Sequence, residues 1–319
     1  MDILLTGSVA YDYLMTFPGQ FKECILPEKM ASISVSFLVN GMRRVRGGIA
    51  ANIAYTMAML GGKPRIMATV GEDFSEYRQR LDALGVDTQL MEVVPDEFTS
   101  SFFATTDHDS AQIASFYPGA MAHASKQSLK DLKTRPDLVI ISPTDPLAMT
   151  KFVSECRELG IKYLYDPSQQ VLRLSGEELA RDLKCASFLF CNDYEYGLIL
   201  KKTGLTHEAL LNEVKVLVVT KGKDGAILYT EGNSHSIPTV PEERIIDPTG
   251  VGDAFRGGFL VAFAQGWDWE LCGKVGALAA VYCLEKQGPQ GHSYTKEEFV
   301  GRFRQHFDDA GKLDRLLQE

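Results

Sequence analysis

A chain of 319 residues with 45% hydrophobic side chains is long enough to bury one large α/β core or about two domains. Its formal net charge of −9 excludes the broad basic face of a general nucleic-acid binder, while a local pocket could still hold a polyanion. Six scattered cysteines without a Cys-x-x-Cys pair support neither a zinc knuckle nor a disulfide framework. The start of the chain lacks a basic leader pattern and no apolar stretch reaches membrane length, so a soluble cytoplasmic protein without a membrane partner is expected.

Short apolar runs at 3–9, 65–70, 138–142, 162–165, 188–191 and 216–220 read as buried strands. Helix-period segments at 49–60, 75–84, 147–159 and 176–183 fall between them, and the final third turns helical at 252–265, 269–285 and 296–305. This alternation predicts a doubly wound α/β fold with a mainly parallel sheet and helices on both faces. Two stretches, 11–46 and 97–118, break the alternation. They contain 35–39, 99–104 and 111–117, which read as strands without intervening helices. Paired together they would make a small β-sheet lid; an antiparallel extension of the main sheet fits the same pattern. The expected division is therefore a large catalytic domain from 1–10, 47–96 and 119–319, with a lid domain from 11–46 and 97–118.

Four constellations carry chemistry. In Asp247-Pro-Thr-Gly-Val-Gly-Asp253 a glycine turn feeds an apolar helix, so the N–H groups of Gly250, Val251 and Gly252 point at an anion. An aspartate beside an anion hole makes sense if Asp253 takes a proton from an attacking hydroxyl; a plain N-cap fits the same letters. Arg46-Gly-Gly-Ile-Ala-Ala-Asn52 again opens a helix with glycines, and Asn52 reads equally as a ligand contact or a satisfied packing residue. Asn192 and Glu195 could hold a magnesium–phosphate shell through water, yet a capping box is the preferred reading of that spacing alone. Thr220-Lys-Gly222-Lys-Asp-Gly225 suits the edge of a nucleotide at a strand end, or a simple turn. The sequence has no P-loop, no protein-kinase catalytic loop, no nucleophile elbow, and no histidines at metal-ligand spacing.

Taken together, Gly47-Gly48-x-x-x-Asn52 and Asp247-Pro-Thr-Gly-x-Gly-Asp253 resemble the two signatures of the ribokinase-like (PfkB) carbohydrate kinase family, with Asn192-x-x-Glu195 in the expected order between them. The segments 6–12, 17–19, 26–28, 36–39, 111–121 and 166–170 look like the bacterial adenosine kinases of the mycobacterial type. The resemblance implies ATP-dependent phosphorylation of the 5′-hydroxyl of adenosine, a purine-salvage reaction, with Asp253 as base and Mg²⁺ carried with ATP. It places the ribose hydroxyls on Asp12 with Gly48 and Asn52, and the purine between Phe102 and Phe116. Ser8, Ser36, Gln169, Gln170 and Arg173 would complete the polar wall. ATP would meet Asn192, Thr220, Gly222, Gly225, Gly250 and Gly252. Asn192 and Glu195 would reach Mg²⁺ through water, and Asp247 lies where a monovalent (K⁺) site would begin. A homodimer is compatible with the resemblance. A ribokinase- or fructokinase-type sugar kinase and a catalytically silent ligand-binding regulator are the rival expectations.

Overall fold

The computed structural model describes residues 1–230 and 232–318. Its strands are β1 (Ile3–Thr6), β2 (Ala10–Thr16), β3 (Gly41–Gly47), β4 (Arg65–Val70), β5 (Asp87–Val93), β6 (Ser100–Thr106), β7 (Gln112–Tyr117), β8 (Leu138–Ile141), β9 (Lys162–Tyr165), β10 (Phe188–Asn192), β11 (Val216–Thr220), β12 (Ala226–Thr230) and β13 (Asn233–Ile237). The helices are α1 (Phe21–Cys24), α2 (Ile49–Met59), α3 (Ser75–Ala83), α4 (Pro146–Leu159), α5 (Gly176–Leu183), α6 (Asp193–Thr203), α7 (His207–Glu213), α8 (Val251–Ala264), α9 (Trp269–Leu284), α10 (Lys296–His306) and α11 (Asp314–Gln318).

Nine strands form the larger sheet in the order β13-β12-β11-β10-β9-β8-β1-β4-β5. From β5 to β11 every pairing is parallel, and β12 and β13 add an antiparallel edge. Parallel strands covered on both faces need apolar residues in both alternating sets. In β1, Ile3 and Leu5 pack into the core under α2, α8 and α9, while Leu4 packs into the core under α4 and α5. That is why the run reads as continuously hydrophobic. The order reverses between β1 and β8, the place where open parallel sheets leave a crevice for ligands.

Helix α8 lies between α2 and α9. A Cβ at Gly257 would sit 2.7 Å from Thr56 Cβ and 2.9 Å from the Ile53 carbonyl, so the bare glycine permits the close approach of α8 to α2.

The second sheet has four strands in the order β3-β2-β6-β7. It is the small lid sheet expected from the two insertions, and it differs in its parts. Residues 35–39, expected as a strand, are irregular and largely exposed. Phe37 instead packs against Phe17 and Phe21, which fixes the segment by one ring rather than by a ladder. The partner of β2 is the arginine-rich β3, which lacks the apolar alternation that would have revealed it. Nor is the first insertion free of helix, since α1 and a 3₁₀ turn at Pro27–Ser32 occupy it. The expected strand 3–9 ends at Thr6, beyond which the chain turns into β2 and the lid. No helix among the described residues is long and apolar enough to cross a membrane.

Candidate active site

A cavity of about 890 Å³ opens at the C-terminal ends of β9, β10 and β11, between the larger sheet and the lid. Helix α8 begins on its floor. Gly250 is the residue before the helix and adopts a left-handed conformation (φ 80°), and a Cβ there would lie 2.3 Å from Pro289 Cβ. With the chain turned that way, the N–H groups of Gly252 and Asp253 meet no acceptor among the described residues and face outward at the positive helix end. Asp253 is therefore not the N-cap: the helix starts at Val251, and its carboxylate makes no cap bond.

The carboxylate of Asp253 instead receives Asn52 Nδ2 at 2.8 Å, across the α2–α8 contact. Asn52 is oriented in turn. Its Oδ1 accepts Gln290 Nε2 at 2.9 Å, Gln290 Nε2 also donates to the Tyr77 hydroxyl, and Tyr77 donates to the Gly47 carbonyl at 3.0 Å. Each link has one direction only, because Tyr77 has one proton and gives it to a carbonyl. The chain therefore leaves Asn52 with an N–H donor for Asp253. Burial pushes the Asp253 carboxyl up to about 6, with Glu195 acting the same way and Arg256 and Asn52 opposing. A carboxylate near 6 is ionised at neutral pH and basic enough to take a proton.

Arg256 lies one turn along α8 and is 7% exposed. Its Nη2 donates to Asp166 Oδ1 at 2.8 Å, and its Nε sits 2.6 Å from Asp166 Oδ2. Asp166 follows β9 and is fully buried; burial raises its carboxyl and Arg256 opposes the rise. For Arg256, burial works against the guanidinium charge, but Asp166 and Asp253 outweigh it and hold the pKa above the ordinary value.

Asn192 and Glu195 do make the capping box at the start of α6. Asn192 Oδ1 accepts Glu195 N at 2.8 Å, and Glu195 Oε2 accepts Asn192 N at 2.8 Å. Both still line the cavity, so forming the cap does not remove them from its wall. Ser168 Oγ lies 3.4 Å from Glu195 Oε1. Ser8 uses its hydroxyl at the opposite helix start, accepting Ile49 N at 3.0 Å in place of the cap that Gly48 cannot provide.

On the lid side, Asp12, Phe102 and Phe116 stand in one cross-strand row: Asp12 pairs with Phe102 between β2 and β6, and Phe102 with Phe116 between β6 and β7. Residues in register share a face of the sheet, and all three line the cavity. Burial, then the charge of Asp247, pushes the Asp12 carboxyl up to about 6.

The cavity also gathers Gly48, Gln169, Thr220, Gly222, Gly225 and Val251, but not every expected residue. Ser36 is exposed on the irregular segment and outside the cavity wall, as is Arg173. Gln170 is buried and gives its Nε2 to the Thr144 carbonyl at 2.8 Å, which is a structural contact. Asp247 is half-buried and does not line the cavity; its Oδ1 accepts Thr249 N and its Oδ2 accepts Gly288 N, each at 2.9 Å. Arg256, Gln290 and Ser168 were not singled out from sequence. Arg256 was readable in principle, since position i+3 from Asp253 shares its helix face. Gln290 carried no local signal.

The sequence matches the pfkB family carbohydrate kinases over residues 9–296, and the chain belongs to that family. A nucleoside kinase of Methanothermobacter thermautotrophicus is 32% identical over 311 residues, 95% of each chain. A Burkholderia thailandensis nucleoside kinase solved in complex with inosine is 38% identical, with a TM-score of 0.85 over 96% of this chain and 98% of that one. The nucleoside kinase of Methanocaldococcus jannaschii, solved as an archaeal member of the ribokinase family, has a TM-score of 0.86 at 29% identity, covering 96% of this chain and 99% of its own. The architecture is the ribokinase fold.

Proposed function

We propose that this protein is an ATP-dependent nucleoside kinase that phosphorylates the 5′-hydroxyl of a purine nucleoside, adenosine in the first instance. The observation that carries the reading is the facing of two half-sites across one cavity: Asp253 beside free helix-start amides below, and the row Asp12, Phe102 and Phe116 above. A carboxylate suits a vicinal diol, and aromatic faces suit a purine. Free sugars would have no use for the two rings. The nucleoside kinase relatives, one of them holding inosine, support the nucleoside over the sugar.

In the reaction Asp253 takes the 5′-hydroxyl proton as the oxygen attacks the γ-phosphorus, and the Gly252 and Asp253 amides stabilise the charge on the transferring group. Lid closure over the substrate would keep water from the phosphoryl acceptor position. Magnesium fits the chemistry of this cavity. Its wall carries the carboxylates of Asp12, Glu195, Glu242 and Asp253 against the cations Lys223 and Arg256, so a polyphosphate needs a divalent counter-ion. Asn192 and Glu195 would hold the ion through water, and when bound it would neutralise phosphate charge. The proposal extends to a monovalent ion at Asp247, whose oxygens each accept one amide and keep a second lone pair; ADP release in potassium against tetramethylammonium tests it.

The experiment is a coupled ADP-release assay over adenosine, inosine, pyrimidine nucleosides, ribose and fructose, with Asp253→Asn as the blank. Turnover with a purine nucleoside is expected, and the Asn variant should lose about 100-fold or more in kcat. Turnover with ribose or fructose and none with nucleosides would make it a sugar kinase. No ADP from any acceptor would make it a silent binder.

A further inference from the structure

We infer that Arg256 is a catalytic residue, the arginine that binds the transferring phosphoryl group, and that Asp166 is the residue that positions it. The inference rests on the kinase reading above and goes beyond it. Three features of the geometry carry it. Asp166, fully buried behind the cavity, accepts a hydrogen bond from Nη2 and lies in ion-pair contact with Nε, 2.6 Å from its Oδ2, so it occupies one edge of the guanidinium. The third, Nη1, meets no acceptor among the described residues and lies beside the glycine turn: a Cβ on Gly252 would come within 2.8 Å of it. Arg256 and Lys223 are the cations among the described residues lining the cavity, and Arg256 alone arises from the helix that bears Asp253.

A buried Arg–Asp pair has a bland explanation, a counter-ion for a carboxylate that packing has trapped. Geometry favours the other direction. Asp166 grips the edge of the guanidinium away from the cavity and leaves a donor where the amides of Gly252 and Asp253 also point. Guanidinium planes held on one edge offer the other to phosphate oxygens in a fixed orientation. The glycine at 252 keeps that donor uncovered, since any side chain there would meet Nη1. Nη1 and the two amides would together meet the equatorial oxygens as charge develops on them.

The transfer uses only the reactants of the proposed kinase reaction. A bond forms from the nucleoside 5′-oxygen to the γ-phosphorus, and the bond from that phosphorus to the β–γ bridging oxygen breaks. The hydroxyl proton passes to Asp253, ADP leaves with the electron pair, and Arg256 donates hydrogen bonds throughout without changing its own protonation.

Because Arg256→Gln alone strands Asp166 in the core, the test uses the neutral double variant Arg256→Gln/Asp166→Asn beside Asp166→Asn and Arg256→Lys. Each is assayed for kcat, nucleoside KM, thermal midpoint, and calorimetric affinity for ADP with aluminium fluoride against ADP alone. The double variant is expected to fold, to keep its nucleoside KM within about threefold, and to lose about 100-fold or more in kcat. Its affinity for the fluoride mimic should fall by a similar factor while ADP binding holds. Asp166→Asn, which keeps the guanidinium, should lose less than the double variant, and Arg256→Lys should recover part of the loss. A folded double variant with near-normal kcat and mimic affinity would reduce Arg256 to a counter-ion, as would equal losses in the double variant and Asp166→Asn. Wild-type protein that releases no ADP with any nucleoside would fail the kinase reading instead, and that result is read before any variant.

Discussion

At the scale of single residues, the candidate base is defined by its support rather than by its own position. Asp253 is oriented by Asn52, Asn52 by Gln290, and Gln290 by Tyr77, over sequence separations of more than 200 residues for each of the three links. The directionality yields a prediction that shape alone would get backwards. Gln290→Glu is nearly isosteric but can no longer donate to Asn52. It would turn the Asn52 amide so that its oxygen faces Asp253. Gln290→Met merely removes the donor. Turnover should therefore fall by about 10-fold in Met and further in Glu, with nucleotide KM unchanged in both, since a displaced catalytic group costs rate before binding. Equal kcat in wild type and Met, measured by ADP release, would remove Gln290 from the positioning network. Sequence exposed Asp253 and Asn52 through the glycine-flanked motifs. It hid Gln290 and Tyr77, because a glutamine in a loop and a tyrosine in a helix read like any others until the two segments are placed together.

Elements bring a different lesson. The lid was legible as two strand-rich interruptions, yet its strand partners were not. Residues 35–39 alternate in the manner of a strand and are irregular, whereas β3 is a strand of arginines. In a four-stranded sheet with one face toward a cavity, ladder pairing with β2 settles the matter, and side-chain pattern follows the local surroundings of each strand. The same ladders put Phe102 beside Phe116. Phe116 is 47% exposed in this state, a large apolar ring at the cavity mouth without full cover. Base stacking on an aromatic ring is worth about 1–3 kcal/mol. The double variant Phe102→Ala/Phe116→Ala should accordingly raise nucleoside KM by about 100-fold and leave ATP KM within a few-fold. Steady-state kinetics with each substrate varied in turn decides it; a nucleoside KM that does not move would take the rings out of base recognition.

The whole molecule concentrates raised carboxyls at this one cavity. Burial pushes Asp12, Asp166 and Asp253 each up to about 6. Folded protein thus binds more protons than unfolded chain between about pH 4 and 6, so the stability these groups contribute is full at the acid end and lost as pH rises through 6. Elsewhere the sign reverses: Asp309, held low first by Arg304, supports the fold above its unfolded pKa and ceases to as pH falls. Replacing Asp253 by Asn keeps the acceptor for Asn52 and removes a charge the cavity strains to hold. The Asn variant should be more stable than wild type above pH 6, by up to about 3 kcal/mol, and the advantage should vanish near pH 4. Thermal melts of both proteins from pH 4 to 8 test this, and parallel curves would refute it. The alternation of buried strands and helices belongs to the sequence itself, because two-faced burial imposes continuous apolar runs that any reader of the chain can see. So do the glycine turn before α8 and the carboxylate within its first turn, since backbone conformation and helix polarity are local. What the tertiary structure alone decided is which distant groups meet there. The close passage of α2 and α8 brings Asn52 to Asp253, the end of β9 sets Asp166 behind Arg256, and the lid ladder aligns Asp12 with two rings. Those are relations between segments remote in the chain, and only packing fixes them.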